Sequence, residues 1–401
     1  MSGDVQMADE TITRQVSERY ARALATGEKM CCPTNYSFED LRRFVPEEVL
    51  GASYGCGTPA GLATVRAGEI VLDIGSGGGI DCFEAARRVG PSGRVIGVDM
   101  TDEMLALARR NTPLVAANLG YAAPITEFRK GHAEALPVAD GSVDLVISNC
   151  VINLASDKAK VFREMYRVIR PGGRFTISDI VADRRVPNYL VHDTQKWGDC
   201  LSGALHSADY LGGLVDAGFL GVHQIKFSPW RVIDGIHFFS LTLTGYKLPD
   251  TAEPDGVQYA TLVGPFSRAV DELGNAYRRG VPQAMSARVV QLLKTPPFER
   301  LLLLSETPVS LAVTDERLIS IPPAAVPCVW KGDFAIFNGP FVEADDDDHH
   351  TYQRGMPLEI CSKTADVLGS GPYTPHFAVI NRAGEAVAGV AVACEPGGSC
   401  C

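Results

Sequence analysis

Glu69-Ile-Val-Leu-Asp-Ile-Gly-Ser-Gly-Gly-Gly79 decides the fold. Its apolar run ends on a glycine-rich turn, and Ile80 to Val89 follows with helical spacing, so the segment reads as strand, turn and helix. Working outward, Arg94 to Asp99 reads as a second strand and Asp102 to about Asn111 as a helix. Val143 to Ser148, Lys158 to Ile169 and Gly173 to Asp179 continue the pattern. Strands alternating with helices predict βαβ units and a mostly parallel sheet, hence an α/β fold. Ala208 to Ala217 reads as a helix, and Gly221 to Phe227 and Phe238 to Tyr246 are expected to extend the sheet as antiparallel edge strands.

The chain has 401 residues, 37 Lys plus Arg against 48 Asp plus Glu, a net charge of −11 and 46% hydrophobic residues. At roughly 100 to 200 residues per domain this length predicts two or three domains. The acidic balance excludes a nucleic-acid backbone as partner. Residues 1–10 lack the apolar centre of a secretory signal, and no apolar run approaches the roughly 18 to 20 residues that span a bilayer, so no membrane association is expected and a cytoplasmic location is. In such a compartment 11 cysteines read as ligands, redox groups or small buried hydrophobes, not as a disulfide scaffold.

Composition turns polar and Pro-rich around Lys247 to Asp255, where a domain boundary is expected. Beyond it, an offset of 75 superposes Gly264-Pro-Phe266 on Gly339-Pro-Phe341, Ala269 on Ala344, Asp271 on Asp346, Tyr277 on Tyr352 and Arg279-Gly280 on Arg354-Gly355. The expected organisation is a lead-in over 1–66, a Rossmann-like domain over 67–248, a duplicated α+β domain over 255–393 and a cysteine-rich tail over 394–401.

The turn after the first strand, Asp73-Ile-Gly75-Ser76-Gly77-Gly-Gly79, fits either a nucleotide-type ligand or a tight structural turn. Asp99, ending the second strand, adds a carboxylate suited to ribose hydroxyls, a spacing that would also permit a dinucleotide. The Asp-x-Gly-x-Gly-x-Gly order resembles the first motif of class I S-adenosylmethionine-dependent methyltransferases. That resemblance implies that the loop holds the methionine end and ribose, that Asp99 binds the ribose, and that Gly131-His-Ala133-Glu134-Ala-Leu-Pro137 flanks the adenine. The cofactor residues it implies are Tyr54, Asp73, Gly75, Ser76, Gly77, Asp99, Met100, Ala133, Glu134 and Asn149.

Three cysteines sit in conspicuous settings: Tyr54-Gly-Cys56-Gly, Ser148-Asn-Cys150-Val-Ile-Asn-Leu154 and Trp197-Gly-Asp-Cys200-Leu-Ser-Gly-Ala-Leu205. Together these resemble arsenite S-adenosylmethionine methyltransferases over residues 31–247, more loosely beyond. The resemblance implies that Cys56, Cys150 and Cys200 bind As(III), that arsenite and methylarsenite are substrates, and that the fourth functional cysteine is Cys32 or Cys31, with Cys32 favoured. It also implies a disulfide between that cysteine and Cys56, reduced by thioredoxin or glutathione. The chemistry suits the residues: soft thiolates select a soft centre, and a pyramidal arsenic trithiolate keeps a lone pair that needs no general base. A quinone or sterol carbon methyltransferase would have no use for three separated cysteines. A protein that only sequesters metalloid would leave the cofactor turn unexplained. Cys82, Cys328 and Cys361 read as structural, Asp345-Asp-Asp-Asp-His349-His350 as a solvated turn, and Asp179 as a strand end near the cleft. Cys394, Cys400 and Cys401 lie on a Gly/Ser/Pro tail that either delivers metalloid or is dispensable.

Overall fold

The computed structural model describes residues 2–28, 36–191, 201, 203–249, 258–296 and 298–388. Contacts divide the chain into two compact units, Met1–His206 with Ser240–Lys247, and Ser207–Phe239 with Leu248–Cys401.

The first unit is built on parallel strands β1 (Ile70–Ile74), β2 (Arg94–Asp99), β3 (Thr126–Lys130), β4 (Val143–Asn149) and β5 (Ile169–Ala182). A short β6 (Leu205–His206) pairs with β5. With β7 (Leu220–Ile233) and β8 (Ile236–Tyr246) the sheet order is β3-β2-β1-β4-β5-β8-β7. The unit boundary falls inside β8, after Phe239. Beyond it β8 runs antiparallel to β5: Lys247 N–H donates to the Gly173 carbonyl at 3.0 Å, and the Thr242 and Ser178 hydroxyls meet at 2.8 Å. The turn between β7 and β8 is Asp234-Gly235, with φ of 52° and 75°, as a two-residue hairpin requires.

Helix α1 spans Ser2–Thr26, and short helices α2 (Phe38–Leu41), α3 (Glu47–Gly51) and α4 (Pro59–Leu62) lead into β1. Helices α5 (Ile80–Val89) and α6 (Asp102–Asn118) are the βαβ crossovers, and α7 (Lys158–Val168) packs on β5. The core joins Phe83, Val89, Leu105 and Val115 to Val71, Val95, Leu145 and Ile147 of the central strands. Side chains that are apolar on both sheet faces drive this burial, as parallel strands demand. Helix α6 continues past Asn111 and through Pro113, because Val115 and Ala116 beyond the proline are buried. At the far end of β1, Arg174 grips Glu69 with two hydrogen bonds of 2.8 Å.

The strand order reverses between β1 and β4. Open α/β sheets bind ligands at such a switch point, outside the carboxyl ends of the strands.

The second unit holds a three-stranded and two four-stranded sheets of short strands among the described residues. Its features recur at an offset of 75. Cis prolines follow Gly264 and Gly339, seven-residue helices span Ala287–Leu293 and Ser362–Leu368, and the Tyr277 and Tyr352 hydroxyls donate to Asp271 (2.6 Å) and Asp346 (2.8 Å). Strand Arg268–Val270 pairs antiparallel with Glu343–Asp345, so that Ala269 faces Ala344, the residue 75 positions on.

Candidate active site

A cleft opens at the carboxyl ends of β1, β2 and β4. Tyr54, Asp73, Gly75, Ser76, Gly77, Asp99, Met100, Ala133, Glu134, Asn149 and Cys150 all line it. Local structure explains the glycine-rich turn. Gly77 sits in the left-handed region at φ 50°, where a side chain would be strained. Its N–H donates to Asp99 Oδ2 at 2.8 Å, while Thr101 N–H donates to Oδ1 at 2.8 Å. The buried hydroxyls of Ser53 and Ser76 line the same cleft and have no hydrogen-bond partner among the described residues. Buried polar atoms of this kind call for a ligand or water.

The cleft is acidic. Asp73, Asp81 and Asp99 line one side of it. Burial raises the Asp73 carboxyl well above the usual range, and repulsion from Asp81 and Asp99 adds to the effect. Burial also raises Asp81 to about 6, against hydrogen bonds from Tyr36, Asn149 and the Ala60 backbone. Asp99 is raised by burial too, and the N–H groups of Thr101 and Gly77 oppose this. Carboxylates crowded in this way gain from a cation placed among them.

The cysteine end of the cleft is organised by Asn149, the last residue of β4. Its Oδ1 accepts the N–H groups of Cys56 and Gly57, both at 3.1 Å. Its Nδ2 reaches Gly57 O at 2.9 Å, the Tyr36 hydroxyl at 3.0 Å and Asp81 Oδ2 at 3.2 Å. Tyr36 in turn donates to Asp81. The glycines flanking Cys56 are required by this close approach: a Cβ on Gly55 would run into the Asn149 side chain, and one on Gly57 into Ser178. The Ser240 hydroxyl donates to Cys56 O at 2.8 Å, closing the cradle.

Cys150 follows Asn149 with φ 58°, a value uncommon for a residue with a side chain. Its N–H donates to Ser178 O at 2.8 Å. The outcome is that Cys56 and Cys150 meet, with Cα atoms 5.8 Å apart, and are joined as a disulfide. The pairing implied by the resemblance, Cys32 or Cys31 with Cys56, falls outside the described residues; here Asn149 holds the Cys56 backbone beside Cys150, to which Cys56 is bonded. The Cys56 and Cys150 sulfurs and one Asp179 carboxylate oxygen all lie within 4.8 Å of one another, and all three residues are buried. Asp179 also accepts Asn153 N–H at 3.1 Å.

Thus Cys56 and Cys150 are brought together, the residues expected to hold the cofactor all line one cleft, and Asp179 lies beside the two sulfurs. Cys32, Cys31, Cys200 and the tail cysteines lie outside the described residues. Tyr36 and Asp81 were not legible as site residues: their contacts with Asn149 span 113 and 68 positions, and neither carries a local motif. Cys82 is buried in α5, and its thiol donates to Asp73 Oδ2 at 3.3 Å. The acidic loop is a turn, with Asp346 accepting His350 N–H at 2.9 Å and Tyr352.

Residues 66–219 match a family described as a methyltransferase domain, and residues 252–326 and 324–397 each match a domain of unknown function (DUF8838). The chain is 30% identical to an arsenite methyltransferase of Rattus norvegicus, over 79% of this chain and 91% of that one. The chain belongs to the arsenite methyltransferase family. An arsenite methyltransferase of Halobacterium salinarum is 48% identical over 47% of this chain, which spans slightly under half of that relative's length. The solved structure of an arsenic(III) S-adenosylmethionine methyltransferase from Chlamydomonas reinhardtii is 32% identical, with a TM-score of 0.52, over 68% of this chain and 98% of that one. In this arsenite methyltransferase family member the fold is therefore the class I methyltransferase sheet, carried by the first unit.

Proposed function

We propose that this chain transfers methyl groups from S-adenosylmethionine to trivalent arsenic held by cysteine thiolates, giving methylated arsenicals. The observation that carries the reading is the convergence of Cys56, Cys150 and Asp179 at the end of β4, beside a cleft lined by buried carboxylates and unpartnered hydroxyls.

The donor, when bound, supplies an electrophilic methyl group on a cationic sulfur. The residues that would hold it are Tyr54, Asp73, Gly75, Ser76, Gly77, Asp99, Met100, Ala133, Glu134 and Asn149. The acidic lining suits a sulfonium, and Ser53 and Ser76 offer hydroxyls to its polar groups. Reduction of Cys56–Cys150 by two thiols, giving two free cysteines and one external disulfide, frees the pair for the substrate. Condensation of arsenite with Cys56, Cys150 and Cys200 then gives an arsenic trithiolate whose lone pair is the nucleophile. Fixing that arsenic at the mouth of the cleft is the chain's main catalytic contribution.

Methylation formally oxidises arsenic, so two electrons must return it to the trivalent state; Cys32 is the candidate redox thiol, with thioredoxin or glutathione as reductant. Methylarsenite is the second substrate. No helix among the described residues is long and apolar enough to cross a membrane, and the thiol chemistry is suited to a reducing cytoplasm.

The deciding experiment incubates the purified chain with arsenite, a thiol reductant and labelled S-adenosylmethionine and separates the arsenic species by chromatography. Labelled methylarsenicals are expected. Absence of label on arsenic, with the donor bound, would overturn the reading.

A further inference from the structure

The second unit carries a second pair of thiols, Cys328 and Cys361, which the chemistry proposed above does not use. They are 33 positions apart, Cys328 two residues before one strand and Cys361 at the end of another, yet the fold brings their segments together. Trp330 pairs with Cys361 across strands Trp330–Phe337 and Pro357–Cys361. Ser362, next to Cys361, holds the segment around Cys328 from both sides. Its N–H donates to Val329 O at 2.8 Å, its hydroxyl donates to Pro327 O at 2.7 Å, and Val329 N–H donates to the hydroxyl at 3.0 Å. Cys328 lies between Pro327 and Val329, the two residues that Ser362 holds, so its backbone runs alongside that of Cys361. Both are free, Cys328 exposed and Cys361 buried.

The repeat shows that the fold does not need this sulfur. Cys361 is the residue preceding helix Ser362–Leu368, and its counterpart 75 positions earlier, Ser286, precedes helix Ala287–Leu293 in the same way. Cys361 Sγ lies 3.4 Å from the Thr364 hydroxyl. Burial disfavours its thiolate, but hydrogen bonds from Thr364, the Cys328 thiol and nearby backbone N–H groups outweigh this and bring it to about 7. A thiol that ionises near neutrality beside a second, exposed thiol is a reactive arrangement.

We infer that Cys328 and Cys361 form a second binding site for trivalent arsenic, one that takes monomethylarsonous acid as a bidentate dithiolate. Two thiols match the two exchangeable hydroxyls of that species: CH3As(OH)2 and two Cys–SH give CH3As(S–Cys)2 and two waters, with no change of oxidation state. Arsenite itself would keep a hydroxyl there. The partly exposed Val326, Val329 and Trp330 around Cys328 offer an apolar surface to the methyl group. The naming of the methylated species rests on the proposed activity; the dithiol does not.

The test uses the full chain, reduced with a phosphine, and monomethylarsonous acid alone as probe, with bound arsenic per chain measured after dialysis. Cys328→Ser and Cys361→Ser are each expected to lose one equivalent relative to the parent, the double variant to lose no more than either, and the rate of arsenite methylation to stay unchanged. Cys328 is exposed and Ser286 already occupies the equivalent of position 361, so neither replacement disturbs folding; an unchanged melting temperature verifies this. Equal arsenic content in the parent and both single variants overturns the site, as does full retention by Cys361→Ser alone. A parent that binds the extra equivalent but transfers no methyl to arsenite would refute the proposed function and leave this site standing.

Discussion

The Asn149 side chain accepts the backbone N–H of Cys56, 93 residues away, at 3.1 Å, and so sets that cysteine against Cys150, its own neighbour in sequence. The amide thus positions the Cys56 backbone and also lines the cleft where the cofactor is proposed to bind.

Replacing it tests that role. Asn149→Ala removes five hydrogen bonds and is expected to cost about 2.5 to 7.5 kcal/mol of stability at roughly 0.5–1.5 kcal/mol per bond. Arsenic methylation should fall at least about tenfold, by the usual penalty for misplacing a reacting group. The rate at which Cys56 and Cys150 form a disulfide in a mild oxidant should fall with it. A variant with slow methylation but normal disulfide formation would show that Asn149 acts only on the cofactor.

Gly57 faces Ser178, with no room for a methyl group between them. Gly57→Ala should destabilise by about 1 to 3 kcal/mol through overpacking, read by denaturant unfolding, and weaken arsenite binding more than donor binding. Unchanged arsenite affinity would argue that the Cys56 loop tolerates displacement.

The proposed roles of the thiols differ. Cys150→Ser should abolish methylation of both arsenite and methylarsenite, whereas Cys32→Ser should spare methylarsenite. Chromatography of the arsenic products separates the two, and normal arsenite turnover in Cys150→Ser would contradict the assignment.

The pH dependence follows from Asp81. Its ordinary value of 3.8 is raised to about 6 by burial, against its hydrogen bonds. Between those values the folded chain binds more protons than the unfolded one, so the stability of the ligand-free protein falls as pH rises through that window. Ionised Asp81 favours a cation, so donor affinity should rise as pH passes about 6. Calorimetric titration at pH 5 and pH 7.5 should give tighter binding at the higher pH, and a flat affinity would exclude Asp81 from the linkage.

Much of the first unit was legible because its signals are local. Apolar β1, the glycine turn and α5 lie within one 21-residue stretch, 69–89, and their spacing carries the strand–turn–helix reading. Strand β3 was not legible from hydrophobicity: of Thr126–Lys130 only Phe128 is buried, as befits an edge strand. Helix α6 runs beyond the expected Asn111 because packing of Val115 overrides the proline at 113. The cysteine motifs stood out locally, but the meeting of Cys56 with Cys150 rests on the non-local grip of Asn149. The approach of the Cys328 segment to Cys361 was hidden for the same reason, since the Trp330–Cys361 ladder pair and the Ser362 hydrogen bonds leave no spacing rule in the sequence.

The ladder in which Ala269 faces Ala344 has a consequence for the history and handling of the second unit. Each copy of the repeat supplies the strand that covers the other's open edge. A chain trimmed to one copy would expose Arg268–Val270 as an unpaired edge, inviting a second molecule to fill the vacancy. The two copies therefore protect each other's edges, and neither is complete without its twin.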